Sequence, residues 1–142
     1  MKYQINTSII IQSKPSAVWK VLTEFEKYPF WNPFIKSIVG KIEVGKKFTV
    51  KFDSNTFKPT ALVYNPNSEF TWLGRLFLPG IFDGKHSFIL EENQDGSTTL
   101  FQQESFSGIL VPLLKKKLAK EITDKFKLLN EGLKVRVESG SN

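Results

Sequence analysis

One histidine and one carboxylate carry most of the chemistry this chain has to offer. His86 is the only histidine among 142 residues. The turn-forming run Asn93-Gln94-Asp95-Gly96 separates two stretches in which apolar and polar side chains alternate, the pattern of a β-hairpin. With the turn centred near 94–96, positions 86 and 104 fall roughly opposite one another. Phe82, His86, Phe88 and Leu90 share one face of the first strand; Leu100, Gln102, Glu104 and Phe106 share one face of the second. Both ionisable groups therefore sit on an apolar surface. A buried ionisable group is costly unless it is partnered, and each of these is the natural partner of the other. Three roles fit the pair. The ordinary one is a satisfied polar pair within a core or at a pocket mouth. A sharper one is an anchor that orients a ligand carbonyl or hydroxyl. The sharpest is a general base, with Glu104 holding His86 while it takes a proton from an acidic carbon.

What is missing narrows the chemistry further. The chain has no cysteine, so disulfides, thiolate zinc sites, iron–sulfur ligation and cysteine nucleophiles are excluded. A single histidine without cysteine makes a transition-metal site an unpromising reading. Neither a Gly-rich phosphate loop nor a Gly-x-Ser-x-Gly elbow is present, so hydrolase, kinase and nicotinamide-enzyme readings have no support. No cofactor and no metal are expected.

The elements that must position His86 and Glu104 can be read from hydrophobic period. Tyr3, Ile5, Thr7, Ile9 and Ile11 share one face of a half-buried strand over 3–12. Pro15 suits the first turn of a helix, along which Val18, Trp19, Leu22 and Phe25 recur at helical spacing. Tyr28-Pro29 and Asn32-Pro33 break that helix into short pieces, with Trp31 and Phe34 between them. Trp19 and Trp31 are expected as core or lid anchors. Strands are predicted near 36–43, 46–53, 57–64, 69–77, 82–92 and 97–107, punctuated by Gly45-Lys46, Asn65-Pro66-Asn67, Pro79-Gly80 and Asp95-Gly96. The period then changes. Val111, Leu114, Leu118, Ile122, Phe126, Leu129, Leu133 and Val137 step by three or four through a long amphipathic helix, in which Gly132 is the weak spot at about 1 kcal/mol against alanine.

An antiparallel sheet with one apolar face must bury it, and only the last helix is long enough to serve. A curved sheet cannot touch a straight helix along its whole length, so either side chains fill the gap or a hollow remains. The 13 phenylalanines, 3 tryptophans and 3 tyrosines can wall such a hollow or fill it.

Charge is uneven. The net charge is +6, and between Val111 and Arg136 eight basic residues face three acids, Glu121, Asp124 and Glu131. Lys115-Lys116-Lys117 fits a solvated helix face, with attraction to anionic lipid head groups as the next reading; no motif that reads nucleic acid accompanies it, so nucleic acid is not an expected partner. The apolar stretch Arg75 to Phe82, which contains Pro79-Gly80, suits a portal loop, a membrane-dipping segment or a buried strand end. The N-terminal segment has three consecutive apolar residues, Ile9 to Ile11, too few for a signal peptide, and the cytoplasm is the expected location.

In this order the pieces resemble the START/Bet v 1-like superfamily, also called SRPBCC or the polyketide cyclase/dehydrase and lipid transport group. The residues that carry the resemblance are Pro15 to Trp19, Tyr28 to Phe34, Trp72-Leu73-Gly74, Gly84 to Phe88, Glu104 to Gly108 and the terminal helix. It implies an α+β helix-grip fold over a single domain, 1–142. A curved seven-stranded antiparallel sheet would wrap the long C-terminal helix, with two short helices between the first two strands and a hydrophobic cavity inside. It does not imply one activity. The leading expectation is a carrier or sensor for a small hydrophobic ligand such as a lipid, sterol or aromatic polyketide-like molecule. The ligand-binding candidates are Trp72, Leu76, His86, Phe88, Gln102, Glu104, Phe106, Leu118, Ile122, Phe126 and Leu129. The alternative is a cyclase, dehydratase or isomerase acting on a ketone-bearing substrate through His86 and Glu104. A third reading is a protein-interaction domain with a vestigial pocket, and a transient membrane-surface contact fits the basic helix.

Overall fold

A computed structural model of the chain describes residues 2–53, 55–76 and 80–140, apart from the side chains of Leu76 and Leu118. Strand β1 (Lys2–Ile11) is followed by helix α1 (Pro15–Thr23) and a short 3-10 helix (Phe25–Phe30). Pro15 opens α1, where its missing N–H costs nothing. Pro29 lies inside the second helical piece, and that piece is 3-10 rather than α. Seven more strands follow: β2 (Ser37–Val39), β3 (Thr49–Lys51), β4 (Thr56–Phe57), β5 (Thr60–Asn65), β6 (Glu69–Leu76), β7 (Phe82–Glu92) and β8 (Thr98–Ser107). Helix α2 (Val111–Glu138) ends the fold.

The strands form a five-stranded antiparallel sheet in the order β1-β8-β7-β6-β5 and a three-stranded one in the order β2-β3-β4. The helix-grip expectation holds, but the single seven-stranded sheet divides. The reason lies at residues 45–48, whose backbone pairs with the edge of β5 instead of with β2. Ala61 N donates to Lys46 O at 3.0 Å and Phe48 N to Pro59 O at 3.1 Å. Beyond residue 48 the chain turns to pair with β2 and β4. Pro59, which has no N–H to give, separates β4 from β5 in what reads as one strand over 57–64. The long hairpin β7–β8 keeps its expected register, with His86 opposite Glu104 and Phe88 opposite Gln102.

Helix α2 lies against β1 and β8, and α1 packs on α2 and β7. Its two halves behave differently. Over the second half Leu129, Leu133 and Val137 enter the main core with Val18, Leu22, Phe70 and Leu100, and that packing is solid. Between them runs a closed polar ring. Gln102 Nε2 donates to Asn130 Oδ1 at 2.7 Å, Asn130 Nδ2 donates to Thr7 Oγ1 at 2.9 Å, and Thr7 Oγ1 donates to the Gln102 carbonyl at 2.8 Å. All three residues are buried, where such bonds are strong and their loss expensive. Over the first half, Leu114 and Ile122 are only partly buried. Among the described residues no helix is long and apolar enough to cross a membrane.

Gly132 is not the weak spot that helix propensity suggests. A Cβ there would stand 2.7 Å from the carbonyl oxygen of Trp31 and 3.7 Å from Pro33 Cδ. The bare glycine lets the chain after the 3-10 helix lie directly on α2. Gly132→Ala should therefore lower stability by about 1–3 kcal/mol despite alanine's better propensity. Urea unfolding of the two proteins measures this, and a more stable alanine variant would show that the contact relaxes freely.

Candidate functional site

The β7–β8 register puts the His86 and Glu104 backbones opposite each other, and the side chains meet, with His86 Nδ1 3.0 Å from Glu104 Oε1. A carboxylate can only accept, which places a proton on Nδ1. In the neutral ring Nε2 is then a bare lone pair. Among the described residues nothing hydrogen-bonds to it, although it is buried. The ring itself is pinned. Trp72, its cross-strand partner on β6, stacks on it at 4.6 Å and 15°. Phe88 approaches at 4.7 Å, and Phe126 of α2 meets it edge-on at 5.0 Å.

Gly84 makes the pair possible. It lies two residues from His86 on the same strand face, and a Cβ there would come within 2.6 Å of Glu104 Oε2. The carboxylate occupies the space a side chain would need. An isolated glycine inside a strand signals such a close approach.

Beside the pair is a cavity of about 240 Å³. The sheet contributes Trp72, Gly74 and Arg75 from β6, Phe82, Gly84 and His86 from β7, and Glu104 and Phe106 from β8. Helix α2 contributes Ile122 and Phe126, and the chain between the 3-10 helix and β5 closes the remaining side with Phe34, Ile35, Val50, Phe52, Phe57 and Pro59. Asn32 builds the turn that presents Phe34 and Ile35: its Oδ1 accepts from the Phe34 and Ile35 amides at 2.9 and 2.7 Å. The wall is mostly apolar, and His86, Glu104 and Arg75 are its ionisable groups. Arg75 is half exposed and loosely paired, its Nε 3.7 Å from Asp83 Oδ1.

Six of the candidates named from sequence come together here: Trp72, His86, Glu104, Phe106, Ile122 and Phe126. Three are placed elsewhere. Phe88 and Leu129 are fully buried within the main core, and Gln102 spends its amide on Asn130 and on the Phe126 carbonyl, at 2.7 and 3.2 Å. The side chains of Leu76 and Leu118 lie outside the described residues, as do 77–79 in the stretch read as a portal. Sequence reasoning overlooked Phe82 and Gly84 as lining, although both fall at even spacing from His86. It also overlooked Phe34, Phe52 and Phe57, which lie in or near strands of two or three residues, too few for a period to show. Trp19 is buried in the main core and Trp31 packs against it.

The chemistry available is that of an imidazole held by a carboxylate at the wall of an apolar cavity. If Gly84 is what lets the carboxylate reach Nδ1, Gly84→Ala should displace it. Imidazole ¹⁵N shifts should show one tautomer, protonated at Nδ1, in the parent protein and a mixture in the variant. An unchanged Nδ1–H population in a folded Gly84→Ala protein would separate the glycine from the pair.

The family model described as polyketide cyclase / dehydrase and lipid transport matches residues 2–138. Among curated proteins none matches. Solved structures share the fold at low identity. A hypothetical protein of Helicobacter pylori superposes with a TM-score of 0.79 at 12% identity, over 95% of this chain and 88% of that one. A point mutant of norcoclaurine synthase from Thalictrum flavum, in complex with a transition state analogue, gives 0.76 at 11% identity, over 100% and 98%. The di-domain ARO/CYC protein StfQ of the steffimycin biosynthetic pathway gives 0.75 at 11%, over 99% of this chain and 52% of that one.

Proposed function

The chain belongs to the polyketide cyclase / dehydrase and lipid transport family, and on that premise we propose that it binds a compact hydrophobic molecule bearing a hydroxyl group, as a carrier or sensor. One observation carries the reading: His86 lines an apolar cavity, and among the described residues its buried Nε2, an acceptor when the ring is neutral and protonated at Nδ1, has no hydrogen-bond partner. A buried polar atom left unpaired costs about 1–3 kcal/mol, and a ligand hydroxyl donating to it recovers that cost. Size sets the ligand class. A hollow of about 150 Å³ takes benzene, so 240 Å³ suits a body of one or two rings. A sterol or a long acyl chain needs more room than that. Burying about 200 Å² of ligand surface gives on the order of 5 kcal/mol before association costs, so the hydrogen bond to Nε2 decides whether binding is useful.

Trp72 stacks on His86 and lines the cavity, which makes tryptophan fluorescence the direct readout. Titration with 2-naphthol should quench it saturably, and naphthalene should bind about tenfold more weakly, the value of roughly one hydrogen bond. His86→Phe should erase that difference while keeping the apolar affinity. Equal affinity for the two compounds in the parent protein would remove the anchor, and the absence of any saturable binding would remove the pocket reading itself.

A second reading is favoured by the Nδ1–Oε1 bond at 3.0 Å. It orients the imidazole as a general base needs, and an enzyme acting on a ketone-bearing substrate, as cyclase, dehydratase or isomerase, would use Nε2 to take the proton next to the carbonyl. A synthase and an ARO/CYC protein share the fold, so the scaffold tolerates catalysis, but at 11% identity their activities do not transfer. Solvent deuterium exchange next to the carbonyl of a bound 2-tetralone distinguishes the readings. Exchange lost in His86→Phe supports the enzyme; binding without exchange supports the carrier.

A further inference from the structure

The start of α2 violates two local rules at once. Ile109 and Leu113 are 71% and 78% exposed. Lone exposed apolar residues are ordinary; their company here is not. Residues 109–120 contain four lysines, Lys115, Lys116, Lys117 and Lys120, and no acid. Leu113, Lys116, Lys117 and Lys120 are spaced by three, four and seven, so they share one face of the helix, away from Val111, Ile122 and Phe126 on the buried side.

The second violation is electrostatic. A helix N-terminus carries partial positive charge and favours acids in its first turn. Here the first turn has none, and the N-cap position holds Leu110, which has no side-chain acceptor to offer. Four lysines follow within three turns. Among the described residues the ion pairs engage Lys36, Lys41, Lys46, Arg75, His86 and Lys134, and none of these four. Lys116 and Lys117 stand four and three residues from Lys120, a spacing at which like charges repel in water and which an external anionic surface would relieve.

We propose that the first turns of α2 are a docking surface for an anionic lipid bilayer, with Ile109 and Leu113 entering the interface and Lys116, Lys117 and Lys120 meeting the head groups. Apolar side chains ringed by lysines match the boundary between head groups and acyl chains. A nucleic-acid phosphate backbone would satisfy the lysines and offer nothing to Leu113. The position also has a consequence for the cavity. Ile109 N and Leu110 N donate to the carbonyls of Gly80 and Ile81, each at 3.1 Å, and Val111 packs in one cluster with Phe106, Phe82, Ile122 and Phe126, all of which border the hollow. Docking would bring that end of the cavity to the membrane. The inference stands whether or not the cavity takes the ligand proposed above.

Co-sedimentation of the full chain with vesicles tests it. Binding should be seen with mixed phosphatidylcholine and phosphatidylserine, fall as salt rises, and be absent with phosphatidylcholine alone. Each lysine near such a surface is worth about fivefold in affinity, so Lys116→Glu with Lys117→Glu should weaken binding at least about 20-fold. The same pair replaces like-charge repulsion of Lys120 by attraction at i,i+3 and i,i+4 spacing, so its melting temperature should stay level or rise by about 1–3 °C. Leu113→Asp should abolish binding with every lysine in place, while 2-naphthol titration of the cavity stays unchanged in all these variants. Absence of binding to the anionic vesicles, or equal binding to phosphatidylcholine, overturns the proposal. So does Leu113→Asp protein that still binds, particularly if duplex DNA competes, because the surface would then be a general polyanion site.

Discussion

Helix α2 can neither slide nor roll on the sheet while Gln102 holds Asn130. The amide of Gln102 reaches up from β8, Asn130 passes the chain of bonds to Thr7 on β1, and Thr7 returns it to the backbone of Gln102. Apolar packing alone would tolerate a shift of α2 by a turn, because leucines are interchangeable partners. A buried amide is not: any other register leaves donors and acceptors unpaired at about 1–3 kcal/mol each. The ring therefore divides the helix. Beyond Phe126 it is locked against the main core, and before Phe126 it borders the cavity at Ile122 and packs Val111 against Ile5 and Phe106. The cavity follows from where the lock sits.

That placement accounts for the second polar feature of the interior. His86 lies two pairs from the Phe88–Gln102 register position on the same hairpin, so the fixed end of the helix sets Phe126 against the imidazole. With Trp72 stacked on one face and Phe126 at an edge, the ring has little freedom to seek another partner for Nε2. Burying a carboxylate in an apolar setting costs desolvation that its bond to the imidazole offsets only in part. Glu104 and His86 thus serve orientation better than they serve folding, and Gly84 gives up a side chain to accommodate them.

The parts legible in the sequence are those whose signal is periodic and long. β7 and β8 run for ten residues or more with a defined turn between them, so the opposition of His86 and Glu104 could be counted outward from Asn93 to Gly96. The stripe of α2 was equally plain. Its two different environments were not, because Leu114, Ile122, Leu129 and Leu133 look alike in a period, whereas only the last two meet the main core. Gln102 shares the strand face of Glu104, and alternation cannot tell a group facing a hollow from one facing a helix amide. Asn130, which decides the matter, sits on an otherwise ordinary helix. The β2–β4 region was misjudged because Pro59 and the switch of partners near residue 48 depend on which edge is nearby, and two- or three-residue strands carry no period.

Gly132 and the lysines of α2 show the same logic from opposite sides. Judged by helix propensity, Gly132 is a flaw; the Trp31 carbonyl at 2.7 Å from its absent Cβ makes it a packing requirement. Judged by periodicity, the lysines are an ordinary solvated face. Crowded at three- and four-residue spacing they repel one another, and among the described residues none of Lys115, Lys116, Lys117 and Lys120 is in an ion pair. A local rule broken with an internal compensation, as at Gly132, is explained by the fold. One broken without it points outward, to something that meets the molecule from solution.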